Sequence, residues 1–236
     1  MHLNEGTVPK DYQSYLKSKI HWIITGIILS FVLFVMAISV GAVAIPPLDI
    51  VRSLFGISMS EKWDLIIWNV RLPQALAAVI AGIGLAIAGV AMQSILRNPL
   101  ASPFTLGISN AGAFGAAVSV IVLGTGNMQS TVASPVLISN PYLTTVVAFI
   151  FCMIATGIIL VISHLKGASP EVMILTGVAL SSLFSAGVMF LQYFSTDAQL
   201  AAVVFWTFGD AGRATWDMLP LMAIVVGGGT LYFIAN

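Results

Sequence analysis

Charge is what this sequence has least of. Between residues 98 and 164 there is no Asp, Glu, Lys or Arg. Over the whole chain 8% of residues are charged and 58% apolar, with a mean hydropathy of +1.02. Soluble domains carry roughly a quarter charged residues, and a hydrated surface cannot be built over so long a stretch without them. Lipid must cover much of it, so the chain is an integral membrane protein. The nine basic and nine acidic residues cancel and are scattered, which removes the basic footprint that nucleic acid requires. Cysteine is almost absent too. Cys152 stands alone, so no intrachain disulfide can form, and its place inside an apolar run reads as packing. Zinc patterns such as HExxH and CxxC are missing, and His2, His21 and His164 are far apart, so no metal site is expected. There is no G-x-x-x-x-G-K-[ST] phosphate loop, and no catalytic residues are assigned. Any energy from ATP has to come through a partner.

What the sequence does have is long apolar runs. A bilayer core of about 30 Å needs roughly 20 apolar residues per helix, and six runs qualify, near 22–44, 72–96, 106–123, 142–164, 172–194 and 218–235. No stretch alternates as a β-barrel strand would, so the fold class is an all-α polytopic membrane protein. Ala42, Val43 and Ala44 imitate a signal-peptide cleavage site, but the apolar run before them is longer than the about 7–15 residues of such peptides, and a retained anchor is expected. Residues 1–21 are expected as a cytoplasmic tail and 22–236 as the transmembrane domain.

Orientation follows from the basic residues. A cytoplasmic N-terminus places Lys10, Lys17, Lys19, Arg97 and Lys166 inside, against Arg52, Lys62, Arg71 and Arg213 outside, with three lysines clustered before the first span, where the bias counts most. Trp22, Trp63, Trp68, Trp206 and Trp216 fall near span ends, as interfacial aromatic belts do. The outer loop 46–70 is expected to hold an interfacial helix, and the apolar stretch around 200–208 is too short to span and reads as a short helix tucked into the outer face. Ala78, Gly82, Ala86 and Gly89 on span 2, Ala111 and Gly115 on span 3, and Gly177, Ser181 and Ser185 on span 5 place small residues at helical intervals, which lets helix backbones approach closely. Spans 2, 3 and 5 contain no ionisable side chain, and span 4 only His164 at its edge. A proton- or sodium-coupled carrier needs such groups at membrane depth and is disfavoured.

The stretch "RNPLASPFTLGISN", residues 97–110, interrupts two glycine-rich runs with an arginine and two prolines. Pro99 forces Asn98 out of helical conformation and ends span 2, and Pro103 keeps the connection extended before span 3. With its flanks, residues 70–118, it closely resembles the permease subunits of ABC importers for iron-siderophores, haem and vitamin B12. The shared pattern is Arg71-Leu72-Pro73, then Gly82, Gly84, Gly89 and Gln93, the Asn98-Pro99-Leu100-Ala101 turn, Pro103, and an L-G-I-S run leading into Gly112. Gly177, Leu180, Ser181, Trp206, Gly209 and Trp216 extend the resemblance toward the C-terminus.

The resemblance implies a bundle of about ten membrane-spanning helices, of which six lie in this sequence. On that pattern the sequence is expected to be the N-terminal portion, without the later spans and coupling helices, and not to transport by itself. The implied function is a cell-membrane permease for a metal chelate, iron-siderophore, haem or corrinoid, with two copies forming the pathway. The implied partners are an ATP-binding cassette ATPase that binds ATP and Mg, an extracytoplasmic substrate-binding protein and the lipid bilayer; no cofactor belongs to this chain. Arg71 is implied as a binding-protein docking residue, although Gln74 stands where a second basic residue is usual. Asn98, Leu100, Ser169 and Pro170 are implied at a cytoplasmic gate, with Pro170 and Glu171 departing from the usual Ser/Thr character. Ser181, Ser185 and Met189 are implied to line the pathway, where a mild wall suits a bulky chelate. The reading from a different class is an accessory or structural membrane protein without transport activity.

Overall fold

The computed structural model describes residues 10–41, 43–57, 60–127, 137–138 and 140–235; Ala42 of the cleavage-like motif and His2 lie outside them. The described chain is helical apart from one two-residue antiparallel ladder, β1 (Gly126–Asn127) with β2 (Leu137–Ile138), in the register Gly126 to Ile138 and Asn127 to Leu137. It divides into two compact units, residues 1–80 with 211–223 and residues 81–210 with 224–236.

The first unit begins with α1 (Lys10–Ser39). The helix starts ahead of the expected span because nothing in residues 10–21 breaks it; glycine and proline are absent there. Its side chains are nearly all exposed within the chain, as a lipid-facing helix requires. A short α2 (Pro47–Leu54) follows, with Pro47 at its first position, where the missing N–H costs nothing. Next comes α3 (Glu61–Ile66), which does not stop. It runs through a π-helical turn, Ile67–Arg71, into α4 (Leu72–Leu96), making one helix of 36 residues. Span 2 thus starts well before its expected edge. The π turn sits directly ahead of Pro73, whose ring would clash with the carbonyl four residues back; the extra residue in the turn relieves that clash without ending the helix. Ile38, Ile45, Ile50, Ile67, Leu72 and Ala75 form the buried core of this unit.

In the second unit α5 is central: Ile108–Ala117, extended by a second π turn, Val118–Val122. Around it lie α6 (Pro141–Leu165), α7 (Pro170–Tyr193) and α8 (Asp197–Phe208). Gly112 and Gly115 allow α6 to approach α5. A β-carbon at 115 would lie 2.8 Å from the Ala148 Cα, and one at 112 would lie 3.0 Å from the Cys152 Sγ. Phe114 fills the space between α6 and α7, edge-on to Phe151 at 5.1 Å and tilted against Phe184 at 5.6 Å. α8 opens with a reciprocal capping box between Thr196 and Gln199. It is the short helix expected near 200–208, and its Ala202 and Val203 pack on Ala117 and Val120. The last helix is α9 (Leu219–Ala235).

Among the described residues four helices are long and apolar enough to cross a membrane: Tyr12–Ser39, Glu61–Leu96, Pro141–Leu165 and Pro170–Tyr193. The other two expected spans are present as shorter apolar helices, Ile108–Val122 and Leu219–Ala235. At 1.5 Å per residue the first of these is about 22 Å long, which suits a helix enclosed by neighbours better than one facing lipid.

Candidate functional site

The expected gate and pathway residues all belong to the second unit. Contacts fix the helix directions there: α5 runs antiparallel to α6, with Gly112 facing Cys152 and Gly115 facing Ala148, and parallel to α7, with Gly107 facing Gly177 and Phe114 facing Gly187. The connection that leads into α5 and the one that leads into α7 therefore lie at the same end. Asn98, Leu100, Ser169 and Pro170 are gathered at that end.

Both connections begin with the same backbone device. After α4, the Arg97 N–H donates to the Ser94 carbonyl at 3.4 Å and the Asn98 N–H to the Gln93 carbonyl at 3.2 Å, with Arg97 left-handed at φ +47°. This is the glycine-type helix stop of a Schellman motif, made here by an arginine. After α6, the Ala168 N–H donates to the Ser163 carbonyl at 2.7 Å with Gly167 at φ +93°. The turns are then stiffened by side chains. Asn98 accepts from the Leu100 N–H through Oδ1 at 2.9 Å, and Ser102 and Thr105 exchange two hydrogen bonds. Ser169 caps α7 by accepting from the Val172 N–H, with Pro170 at the first helical position. These bonds leave Leu100 83% exposed on the tip of its turn.

The connection is joined to α7 almost without intervening side chain. Gly107 has φ +69°, and a β-carbon on it would lie 2.5 Å from the Ser181 Oγ and 2.7 Å from the Gly177 carbonyl oxygen. Ser181 thus faces α5, half-buried; Ser185, one turn on, is also half-buried, whereas Met189 is exposed. The three implied pathway residues do not share one environment.

Arg71 departs furthest from its expected setting. It is only 8% exposed, and its guanidinium donates to the carbonyls of Ile38 at 2.7 Å and Ser39 at 3.0 Å and also to that of Val43. The first two are carbonyls of the last turn of α1, which a helix leaves open at its C-terminus, and a cation is favoured there by the helix dipole. Gly41 makes room, since a β-carbon at 41 would sit 2.6 Å from Arg71 Nη2. Arg71 is the last residue of the π turn. Nearby, Gln74 donates to the Gly212 carbonyl at 2.6 Å and Trp216 Nε1 to the Trp68 carbonyl at 2.7 Å, fastening the segment 211–216 to the helix start.

Sequence reasoning missed one polar cluster. Ser119, Thr125 and Thr144, each at most 4% exposed, form a triangle of hydroxyls 3.1 Å apart on every side. It ties the π turn of α5 to the first turn of α6. Three isolated hydroxyl residues spread over 26 positions carry no pattern that would reveal it. Among the described residues no group of three metal-binding side chains comes together.

The chain is similar to known proteins. Residues 26–236 match the FecCD transport family. A protein of Methanocaldococcus jannaschii described as an ABC transporter permease is 47% identical over 230 residues, 96% of this chain and 64% of the relative. The vitamin B12 import system permease protein BtuC of Escherichia coli is 29% identical over 218 residues, 89% of this chain and 59% of BtuC. A solved structure described as an inward-facing conformation of a metal-chelate type ABC transporter superposes with a TM-score of 0.64 at 28% identity, covering 84% of this chain and 56% of that one. The chain thus spans about three fifths of the length of the relatives it matches.

Proposed function

Since the chain belongs to the FecCD transport family of multi-pass membrane permeases, we propose that it contributes the gate-bearing helices of an ATP-driven importer for a metal chelate of the siderophore, haem or corrinoid class. Two copies enclose the pathway, an ATP-binding cassette subunit that holds ATP and Mg binds on the cytoplasmic side, and a binding protein delivers the chelate on the other. The N-terminus and the 97–107 and 166–169 connections face the cytoplasm. Arg97 and Lys166 at those connections support this orientation, because basic residues accumulate there.

The observation that carries the reading is the joint between Gly107 and α7. A gate must move with the wall of its pathway, and here the turn bearing Asn98 and Leu100 leads through Leu106–Gly107 onto the backbone of Gly177 and the hydroxyl of Ser181. Tilting α7 therefore carries the turn with it. Ser169 and Pro170 serve in this reading by fixing the start of α7, Ser181 and Ser185 by supplying weak polar contacts near the pathway, and Met189 by offering an adaptable apolar surface. Arg71 contributes to docking through the segment it holds in place, since its own charge is taken up by α1.

Affinity purification of the tagged permease from its host membrane tests this. An ATP-binding cassette protein is expected in the complex, and Leu100→Cys is expected to form a disulfide between two copies whose yield changes when ATP is added. A complex without an ATPase overturns the reading and puts the accessory, non-transporting role first.

A further inference from the structure

The helix α2 is short, and its surface divides into three arcs. Ile50 and Ser53 point into the unit: Ile50 joins the core with Ile38 and Ile45, and Ser53 donates to Asp64 at 2.5 Å. Asp49 and Arg52 occupy the next arc and pair with each other at 3.1 Å. The remaining arc, about 120° wide at 100° per residue, holds Leu48, Val51, Leu54 and Phe55, which are 60%, 46%, 38% and 81% exposed. Ile57, just past the helix, is 58% exposed. A helix docked on a water-facing loop would turn its charged arc outward and bury the apolar one. Here the buried arc is a different one, and a second apolar face is left over.

We propose that this second face is inserted in the membrane, with α2 lying in the boundary between headgroups and acyl chains at the end of the bilayer where α1 terminates. Three observations select lipid as the occupant. The face is continuous with a lipid surface: α1 is exposed and apolar over residues 22–33 and ends at Ser39, and the contact of Ile38 with Ile45 and Ile50 holds α2 at that end. The tethers that fix α2, Ser53 to Asp64 and the core around Ile50, lie on the arc away from the free face, so the helix cannot roll to hide it. Trp63 and Trp68 stand on the helix that packs beside it, the residue type that collects at this boundary. The ion pair on the adjoining arc faces the headgroups, as the polar side of an interfacial helix does.

The test is site-directed spin labelling of the whole permease in liposomes of phosphatidylethanolamine and phosphatidylglycerol. On a Cys152→Ser background, Leu48→Cys, Val51→Cys and Phe55→Cys should be accessible to oxygen and shielded from a water-soluble nickel chelate, at a depth of about 5–10 Å, while Arg52→Cys shows the reverse. Nickel access at all four positions overturns the proposal and leaves the face in water. Shielding from both reagents also overturns it, assigning the face to a second copy or a partner protein. Wild-type protein supplies a check that needs no substitution: a phospholipid carrying a diazirine in its acyl chain should label the peptide 47–57, and absence of that label overturns the proposal. The inference rests on the membrane-spanning fold alone. Loss of the ATPase complex would leave it standing, and its own failure would leave the importer reading intact.

Discussion

Gly107 and Gly177 meet backbone to backbone. A β-carbon on Gly177 would lie 2.7 Å from the Leu106 Cα and 2.9 Å from the Leu106 carbonyl carbon, and one on Gly107 would lie 2.7 Å from the Gly177 carbonyl oxygen. At Gly177 all the crowding is with backbone, and at Gly107 the Ser181 Oγ, 2.5 Å away, is crowded as well. Gly177→Ala is expected to force α7 away from the turn and cost about 1–3 kcal/mol, as overpacking does. Gly107→Ala adds the strain of its left-handed backbone. A thermal midpoint in detergent that matches wild type for both variants would show that the joint is loose enough to admit a methyl group.

Arg71 closes the end of α1. Replacing it with alanine removes the side-chain donor from the carbonyls of Ile38 and Val43 and leaves that of Ser39 with the Ile45 N–H alone, and hydrogen bonds to a charged donor are worth about 1.5–3 kcal/mol each. Arg71→Ala should lower the unfolding midpoint and, on a Cys152→Ser background, raise the reactivity of Val43→Cys toward thiol reagents, and Arg71→Lys should recover only part of the loss, since one ammonium lacks the planar fork. Unchanged stability combined with weakened capture of the binding protein would assign Arg71 to docking instead.

The hydroxyl triangle predicts non-additivity. Ser119→Ala and Thr144→Val each leave the remaining hydroxyls with one partner fewer, at about 0.6–1.7 kcal/mol by the scale of interhelical hydrogen bonds in membranes. The double variant should cost less than the sum, because both changes remove the same contact. Strict additivity in a double-mutant cycle would dissolve the cluster into unrelated contacts.

Arg97 holds a left-handed backbone that glycine adopts freely. Arg97→Gly is expected to preserve the turn and raise stability by about 0.5–1 kcal/mol net of the greater freedom of the unfolded chain. Arg97→Val should lower it, since a β-branched side chain tolerates that conformation poorly. Equal midpoints for glycine and valine would mean that the Schellman turn does not form in the membrane.

The membrane class, the positions of α6, α7 and α9 to within a few residues, and the stop before Pro99 were legible in the residues themselves. Each follows from local rules: apolar length against bilayer thickness, and the restraint that proline places on its predecessor. The small residues of α5 were read correctly as packing sites, yet the same motif on α4 behaves otherwise. Ala78, Gly82 and Ala86 are exposed, while Ala111, Gly112 and Gly115 are buried. Spacing tells that a close approach is possible, and only the fold chooses which helix makes it. The burial of Arg71 was invisible for a similar reason. Its partners lie 28–33 residues earlier, and no pattern of hydrophobicity encodes a contact at that separation. Composition and periodicity act through one residue and its near neighbours, so they determined where the chain enters lipid and where its helices stop. Which charge is hidden, which glycine is crowded and which hydroxyls find one another depend on contacts between distant segments, and the tertiary structure alone decided them.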